Sequence, residues 1–536
     1  MLLGLGSGGS MNYDVSIAEQ TPYYEMYSQD DIRLSTKLTL NLGVRYEWEG
    51  VHTDRFNRFN RGFDFSVASP IAATAMANYA RSPIPEVPAS QFSVKGGLLF
   101  AGQGGLPRGL ADIDRNNFSP RVGFAYSLTP KTVLRGGYGH FYGPTTPEGT
   151  TSYGFSATTT WVTSLDGLTP TDTLSNPFPS GIARPVGAKE GLLTYVGQGI
   201  SFVNSERQQL WTQQFQFAIQ RQLPGQVMIE TAYSGTRTND YPVSVALNAT
   251  PREFQLQARQ IFVVTNRNVL NDSVSNPFLG LIAAGSLSRA TTTRGQLMRP
   301  FPQFTGVSET GINDGATHYD SFQAKVNKRF SGGLAFLVSY TLSKSLQQIS
   351  YLNETDTQLT QRLSSFDIPQ RLAVSGSYQL PFGKGRTLFG GSTGLTGKLL
   401  QGWQLNWVYA AQSGIPLAVS SGESVGRSAK LPKNQQTPQR WFDTSVFRLR
   451  ETLEFVGTSC LPDVRTQGRN NLDLSLYKDT QIFERLKLQF RAESFNLANR
   501  TEFGPPGMGV GSSSFGVISG QINFSRQLQF GLRLLW

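Results

Sequence analysis

The last eleven residues of the chain alternate between apolar and polar side chains and end on an aromatic residue. Side chains of a β-strand point alternately to opposite faces, so this segment predicts a strand with one apolar and one polar face. A terminal strand of this kind is typical of chains inserted into the bacterial outer membrane, where alternate residues meet lipid. The apolar face consists of Leu528, Phe530, Leu532, Leu534 and Trp536.

The same period of two recurs along the whole chain and predicts thirteen strands. In the clearest example, every second residue from Leu38 to Trp48 is apolar and the residues between them are polar or glycine. The predicted strands lie near 22–34, 38–48, 118–128, 131–142, 209–222, 226–236, 318–330, 333–343, 369–380, 399–412, 471–476, 485–493 and 526–536.

The predicted connections alternate between short turns and long loops. The turns lie at Ser35-Thr36, Thr129-Pro130, Pro224-Gly225, Ser331-Gly332 and Phe483-Glu484, with a longer glycine-rich one across Pro381–Lys398. Soluble sandwiches lack such a strict alternation, whereas transmembrane barrels have short periplasmic turns and long extracellular loops. The chain is therefore predicted to be all-β, an antiparallel transmembrane β-barrel. The long loops cover 50–117, 143–208, 238–316, 344–368, 413–468 and 498–525.

The composition supports a membrane location. Aromatic residues make up 11% of the chain and charged residues only 16%, which is too aromatic for disorder and too lightly charged for an ordinary soluble protein of this size. No apolar run reaches the roughly 18 residues of a transmembrane helix. The net charge of +11 is spread along strands rather than in runs, so we predict no nucleic-acid partner. It suits anionic lipopolysaccharide, or a lumen for anionic solutes.

The strand count predicts a barrel that continues beyond this chain. If the short turns are periplasmic, the first and the last strand both descend, and thirteen is odd where single-chain bacterial barrels are even. The first ten residues lack the basic and apolar regions of a signal peptide. We expect residues 1–19 to be the stub of a preceding strand, at Met1–Leu5, followed by an extracellular loop. Residues 20–536 would then be the C-terminal part of a larger barrel, from a truncated gene or a late start.

Several segments resemble the barrel of TonB-dependent outer-membrane transporters, in particular the Oar-like group. The likeness covers nearly the whole chain and rests on the order and spacing of the segments rather than on one motif. They are Tyr24–Arg33, Leu38–Glu47, Asn116–Tyr126, Phe366–Leu372, Tyr378–Arg386 and Phe490–Arg500.

The resemblance implies a 22-stranded barrel closed by an N-terminal plug domain, with a TonB box that contacts the energy-transducing complex. The thirteen strands would be the tenth to the twenty-second, and neither plug nor TonB box is recognisable in this sequence. The implied partners are outer-membrane lipid and lipopolysaccharide, the barrel-assembly machinery through the strand that ends at Trp536, and TonB through the missing plug. The chain alone is not expected to transport.

The polar strand faces predict which residues line the lumen, and the long loops predict where a ligand is captured. Aromatic residues near strand ends suit the two interfacial girdles of a barrel; platforms for stacking sugars or bases are the alternative. Loop aromatics are freer to touch a ligand, and we expect this of Tyr153, Phe155, Trp161 and Trp441. The predicted lumen residues are Arg45, Glu47, Arg121, Glu230, Lys325, Arg371, Asp473, Lys487, Arg491, Glu493 and Arg533.

No arrangement of residues predicts catalysis, a cofactor or a metal. His52, His140 and His318 are far apart in sequence, and Cys460 is the only cysteine and is expected in a loop. We therefore predict that the protein is not an enzyme.

Two glycine- or aspartate-rich segments resemble ligand loops only superficially. Asp112–Asn116 begins like a calcium loop, but Asn117 stands where glycine is needed and Gly123 where glutamate is needed. Gly136–Gly143 is not followed by the helix that a phosphate loop requires, so its glycines suit a curved strand better.

The leading hypothesis is the barrel wall and extracellular loops of a TonB-dependent receptor for an unidentified solute, in the outer membrane of a Gram-negative bacterium. A porin-like channel or an outer-membrane adhesin without TonB coupling is the main alternative. A soluble glycan-binding β-protein is the third.

Overall fold

Thirteen antiparallel strands form one continuous sheet in which each strand pairs with its neighbours in sequence order. The structure is a computed structural model that describes residues 8–144, 153–164, 169, 171–283 and 285–536. The strands are β1 Tyr23–Arg33, β2 Leu38–Glu49, β3 Phe118–Thr129, β4 Thr132–Tyr142, β5 Trp211–Leu223, β6 Val227–Ala246, β7 Gly306–Ser331, β8 Leu334–Gln348, β9 Gln370–Gln379, β10 Trp403–Gln412, β11 Arg469–Phe483, β12 Leu486–Phe495 and β13 Gln527–Leu535.

Each of the thirteen predicted strands is present, and the alternation of short and long connections is confirmed. One of the two-residue turns joins β7 to β8 through Gly332 and Gly333, which have φ angles of 59° and 81°. Two successive residues with positive φ match the twist of a hairpin, and glycine adopts that conformation without steric cost.

Two strands are much longer than predicted. β6 has 20 residues and β7 has 26, so both continue into the segment 238–316 that was expected to be a loop. Their upper parts pair with each other through three register shifts between Thr238 and Ser244. Above the membrane neither face needs to be apolar, so the strict alternation that marks a spanning strand disappears although the pairing continues.

The sheet has two edges. Within the described residues β1 pairs only with β2, and β13 pairs only with β12. Most residues of both edge strands are exposed, on both faces of the sheet. Each edge therefore presents a row of backbone groups without a ladder partner.

The long loops contain their own secondary structure. Among the described residues, no helix is long and apolar enough to cross a membrane. The helices are α1 Ala72–Tyr79, α2 Arg252–Thr265, α3 Arg294–Leu297 and α4 Gly394–Leu400, the last of which lies in the long turn between β9 and β10. The short strands outside the main ladder are Ser10–Asp14, Glu19–Gln20, Thr53–Asp54, Asn60–Ala68, Lys95–Phe100, Ser156–Thr160, Gly199–Val203, Ser273–Ser275, Thr291–Thr293, Arg362–Leu363, Gly422–Ser424 and Phe447–Leu449.

Nearly all buried apolar side chains lie in the loops; the exceptions in the main sheet are Val243 of β6 and Val307 of β7, in the upper parts of these strands. One face of a barrel wall meets lipid and the other meets the lumen, so the hydrophobic core must form elsewhere. The three loops between β2 and β7 meet in two adjoining clusters, one around Phe278 and one around Phe63, Phe202 and Phe304, each of these rings at most 5% exposed. Val196 packs against both, and we call the two together the first loop cluster. The loops therefore fold against one another as a packed assembly at the ends of the strands that they connect.

A second loop cluster forms between the loops at 413–468 and 498–525. Phe442 is completely buried at its centre, with ring centroids 5.8 Å from Phe447 and 5.2 Å from Phe515. Arg259, on α2, forms an ion pair with Glu451 at 3.3 Å. This contact links the second cluster to the first.

The predicted stub at Met1–Leu5 lies outside the described residues. The nearest described strand, Ser10–Asp14, pairs with Ser156–Thr160 in the loop between β4 and β5 and does not join the main sheet. This part of residues 1–19 therefore belongs to the loop assembly.

Candidate functional site

The strand register places all eleven predicted lumen residues on one face of the sheet. Residues directly opposite in an antiparallel pair share a face, as do residues two apart on one strand. Lys325 stands opposite Glu230, and Arg533 stands opposite Gln489 between Lys487 and Arg491. The strand pairs from β2 to β13 place the other predicted lumen residues on this same face. We call this the polar face; that it lines a lumen stays a prediction.

At the β1–β2 end of the polar face, charged side chains compensate one another. The Nε of Arg45 lies 2.6 Å from Glu47 Oε1, and its Nη2 donates to Tyr23 Oη at 3.0 Å and to Glu25. Tyr23 in turn donates to Glu47 Oε2 at 3.0 Å. Glu47 is only 7% exposed, so this network fixes a carboxylate that burial alone would disfavour.

A similar network lies at the β11–β12 end. Lys487 pairs with Asp479, and Tyr477 donates to Glu493 Oε1 at 2.9 Å. The guanidinium of Arg491 lies over the Tyr477 ring, 4.8 Å from its centroid. Predicted lumen residues of β12 are thus tied to β11.

The other predicted lumen residues are less constrained. Asp473 accepts from the backbone N–H of Asn496 at 2.8 Å and from Asn471 Nδ2 at 2.9 Å, so it holds the start of the last long loop. Arg371 is exposed near the upper end of β9. Arg371 and Lys325 both place positive charge on the polar face.

A recess on the polar face centres on Arg121. Three adjoining cavities of about 660, 320 and 210 Å³ all include this residue in their walls. The Arg121 guanidinium lies 4.8 Å from the Phe141 ring centroid. Glycines of β3 and β4 line the bottom of the recess, where no side chain covers their backbone. Polar side chains line the rest of the recess. Its walls include Asp31, Asn41, Gly123, Arg135, Gly137, Gly139, Gln214 and Gln216.

The four loop aromatics predicted to meet a ligand take part in packing. Trp441 is 9% exposed in the second loop cluster and donates from Nε1 to the carbonyl of Arg465 at 2.7 Å. Tyr153 and Phe155 pack against the first loop cluster, and Trp161 Nε1 lies 3.3 Å from the carbonyl of Asp172. Ligand contact by these residues stays a prediction, and each is half-buried or buried.

The histidines and the cysteine considered as metal ligands or nucleophiles lie far apart in the structure. His52 stacks on Phe59 in a loop, and burial lowers its pKa. Cys460 lies in a loop, as predicted, and burial raises the pKa of its thiol. In the part of the chain that the structure describes, no three histidine, cysteine or acidic residues are close enough to hold a metal ion.

The two aspartates of the 112–116 segment form an ion pair and a hydrogen bond with other residues of the chain. Asp112 pairs with Arg61, and Asp114 Oδ2 accepts from the backbone N–H of Gln209 at 3.0 Å. The first contact closes the loop between β2 and β3 on itself, and the second ties the lead-in of β3 to the loop between β4 and β5.

Two ion pairs fix the charges of the loop assembly. Asp54 is fully buried and accepts from Arg58 through both oxygens at 2.8 Å, and this guanidinium holds the pKa of Asp54 well below its usual range. In the second loop cluster the hydrogen bond from Arg448 lowers the pKa of Glu454 to about 2. Both carboxylates therefore stay ionised at neutral pH.

Sequence reasoning missed the recess around Arg121 and the folding of the loops. A signal for the recess exists, because Gly123, Gly137 and Gly139 all stand on the polar side of their strands. The loop clusters have no equivalent signal, since their apolar residues follow neither the two-residue period of a strand nor the 3.6-residue period of a helix.

The sheet with its apolar and polar faces, short turns and long loops defines a β-barrel protein of the outer membrane of Gram-negative bacteria. The family model described as "Outer membrane beta barrel domain" matches residues 1–529, and the chain belongs to this family. A search of curated proteins finds no match.

Solved structures similar to the chain are outer-membrane receptors and transporters. The ferripyoverdine receptor of Pseudomonas aeruginosa is 11% identical, with 96% of this chain and 38% of that chain covered and a TM-score of 0.40. The siderophore receptor PiuA from Acinetobacter baumannii is 8% identical, with coverages of 96% and 43% and a TM-score of 0.41. The transporter YddB from Escherichia coli is 9% identical, with coverages of 97% and 54% and a TM-score of 0.41. The chain spans about two fifths to half of these proteins.

Proposed function

We propose that the chain forms the wall and the extracellular loops of a TonB-dependent receptor for an unidentified solute. The observation that carries the proposal is the polar face beneath a packed loop assembly. The loops would capture the solute, and the polar face would surround a plug and the path past it. The order of the Oar-like segments, from Tyr24–Arg33 to Phe490–Arg500, supports TonB coupling over other barrel functions.

We further propose that nine more strands complete a 22-stranded barrel. The edges of β1 and β13 are unpaired within the described residues, and unpaired backbone groups cost several kcal/mol each in hydrocarbon. Additional strands between these two edges would satisfy both. The 536-residue chain would then not be competent for transport alone.

Conductance measurements on the 536-residue chain, together with sequencing of the native polypeptide, test the proposal. The chain reconstituted in planar bilayers is expected to give no stable channel. Mass spectrometry of the protein from outer membranes is expected to find barrel and plug peptides upstream of Met1 in the same polypeptide. Uniform, long-lived channels from the chain alone, with no upstream peptides, would instead establish a porin.

A further inference from the structure

One of the three cavities that meet at Arg121 has the composition of a binding site for a small polar solute. It measures about 320 Å³, at the lower end of the range for small-molecule pockets, so it accommodates a group of about one six-membered ring. Arg121 is the fourth residue of β3 and Phe141 the last but one of β4, which places the cavity at the loop end of the polar face. We call it the Gln209 cavity, because Gln209 belongs to its wall and not to the walls of the other two.

Arg121 brings to this cavity a positive charge without an acidic partner. Its Nε is shielded from solvent and has no hydrogen-bond partner, and none of the ion pairs in the described residues includes it. Arg45, in the same wall, is by contrast paired with Glu47 and Glu25. The Arg121 guanidinium is therefore available to an anionic group from outside the chain.

The neighbouring strands leave room beside this guanidinium and hold it in place. Arg121 stands opposite Gly43 on β2 and Gly139 on β4, so no side chain flanks it in the ladder. A Cβ atom at Gly139 would come within 2.7 Å of the Phe141 ring, so this ring lies directly against the glycine. The guanidinium lies 4.8 Å from the centroid of the same ring and is attracted to it. A cation that is already held in position loses less freedom when a ligand binds.

Gln209 brings a hydrogen-bond acceptor to the same cavity. It is only 3% exposed, and its Nε2 donates to Glu49 Oε2 at 2.8 Å. A carboxylate accepts hydrogen bonds and does not donate them, so this contact fixes which end of the amide is directed toward Glu49. The Oε1 atom has no partner in the described residues, although buried acceptors are nearly always satisfied. A donor group of a ligand in the cavity would satisfy it.

The charges and donors of the wall select one class of ligand. Glu47 lines the cavity and would repel a second negative charge, which favours a monocarboxylate. The Arg121 guanidinium has more N–H donors than one carboxylate accepts. A hydroxyl next to the carboxylate can accept from the guanidinium and donate to Gln209, whereas an N–H group can only donate. Hydroxyl groups therefore match the wall better than amines or apolar groups.

We propose that the Gln209 cavity binds a sugar acid, a solute group with one carboxylate and several hydroxyls. Arg121 binds the carboxylate through its paired N–H groups, and Gln209 Oε1 accepts from a neighbouring hydroxyl. This inference rests on the proposed function, because the polar face must be open to a solute, and it adds the chemical class of that solute.

Binding of D-glucuronate to the purified 536-residue chain in detergent, followed by saturation-transfer NMR titration, tests the proposal. Glucuronate is expected to bind about tenfold more tightly than glucose, which has the hydroxyls but no carboxylate. Cyclohexanecarboxylate, which keeps the ring and the charge but has no hydroxyls, should bind as weakly as glucose. Arg121→Gln should weaken glucuronate binding by about tenfold.

Arg135→Gln is the matched control. It makes the same charge change on the polar face, in the wall of the largest cavity and not of the Gln209 cavity, so it should leave the affinity for glucuronate unchanged. Circular dichroism of each variant checks that the sheet is intact. If Arg121→Gln does not fold, Arg121→Lys keeps the charge without the paired N–H groups, and a loss of about threefold is expected.

Equal affinities of wild type for glucuronate and glucose would overturn the proposal. An equal loss in Arg121→Gln and Arg135→Gln would overturn it as well, since it would indicate attraction by the charge of the whole face. Binding to the solubilised chain requires neither channel formation nor upstream residues. A porin-like result in bilayers would therefore reject TonB coupling and leave these affinities as stated.

Discussion

Replacing Leu372 with Arg is expected to destabilise the folded protein in lipid by roughly 2–4 kcal/mol. Leu372 is on the outward face of β9, opposite Tyr340 of β8 and Ala411 of β10. It lies seven residues above Gln379, the lower end of the strand, which places it within the apolar band. A guanidinium there must leave water without a partner. Equilibrium unfolding in urea from lipid vesicles, followed by tryptophan fluorescence, measures the loss.

The matched control is Ala373→Arg, one residue further along the same strand. Ala373 stands opposite Ser339 on the polar face, is exposed, and should accept Arg at a cost below about 0.5 kcal/mol. Equal destabilisation by the two substitutions would show that the assignment of the two faces is wrong.

The second prediction concerns the loops. Phe442→Ala is expected to destabilise the second loop cluster by about 3–5 kcal/mol, because it leaves a cavity around a completely buried ring. Amide hydrogen exchange in detergent should then accelerate by a factor of about 10² or more in 413–468 and 498–525. Exchange in β9, β10, β11 and β12 should stay slow, since the sheet is held by its own ladder.

Phe524→Ala is the control for this change. Phe524 lies in the same pair of loops but is 81% exposed, so its truncation should leave exchange in the loops unaltered. If Phe442→Ala had no more effect than Phe524→Ala, the loops would not be a packed assembly.

The thirteen strands were predictable because the membrane imposes a pattern on the sequence. From Leu38 to Trp48, and again from Leu528 to Trp536, each residue must suit either lipid or water, and the alternation is visible without an alignment. The same constraint fixed which face carries Arg45, Lys325 and Arg491, because a shift by one residue would reverse every side chain.

The upper parts of β6 and β7 and the loop clusters were not predictable in this way. Phe63, Phe202 and Phe304 come from three different loops, and their burial depends on contacts between residues more than 100 positions apart. No local period encodes such contacts. Trp441, one of the loop aromatics expected to contact a ligand, is buried in this packing.

The candidate site was predictable as a face but not as a set of contacts. Alternation placed Arg121 and Glu47 on the polar side, but it could not indicate that Glu47 is bound by Tyr23 while Arg121 borders three cavities. These differences arise from side-chain lengths and from the glycines of neighbouring strands.

Spin labelling along β9 tests the central claim, that alternate residues of one strand face lipid and the interior. Single cysteines at each position from Gln370 to Gln379, in a Cys460→Ser background, would carry a nitroxide in reconstituted vesicles. Collision with lipid-soluble oxygen is expected to peak at Leu372, Val374 and Gly376, and collision with a water-soluble nickel complex at Arg371, Ala373 and Ser375. Accessibility without a period of two, or water access at all ten positions, would contradict the membrane-spanning sheet.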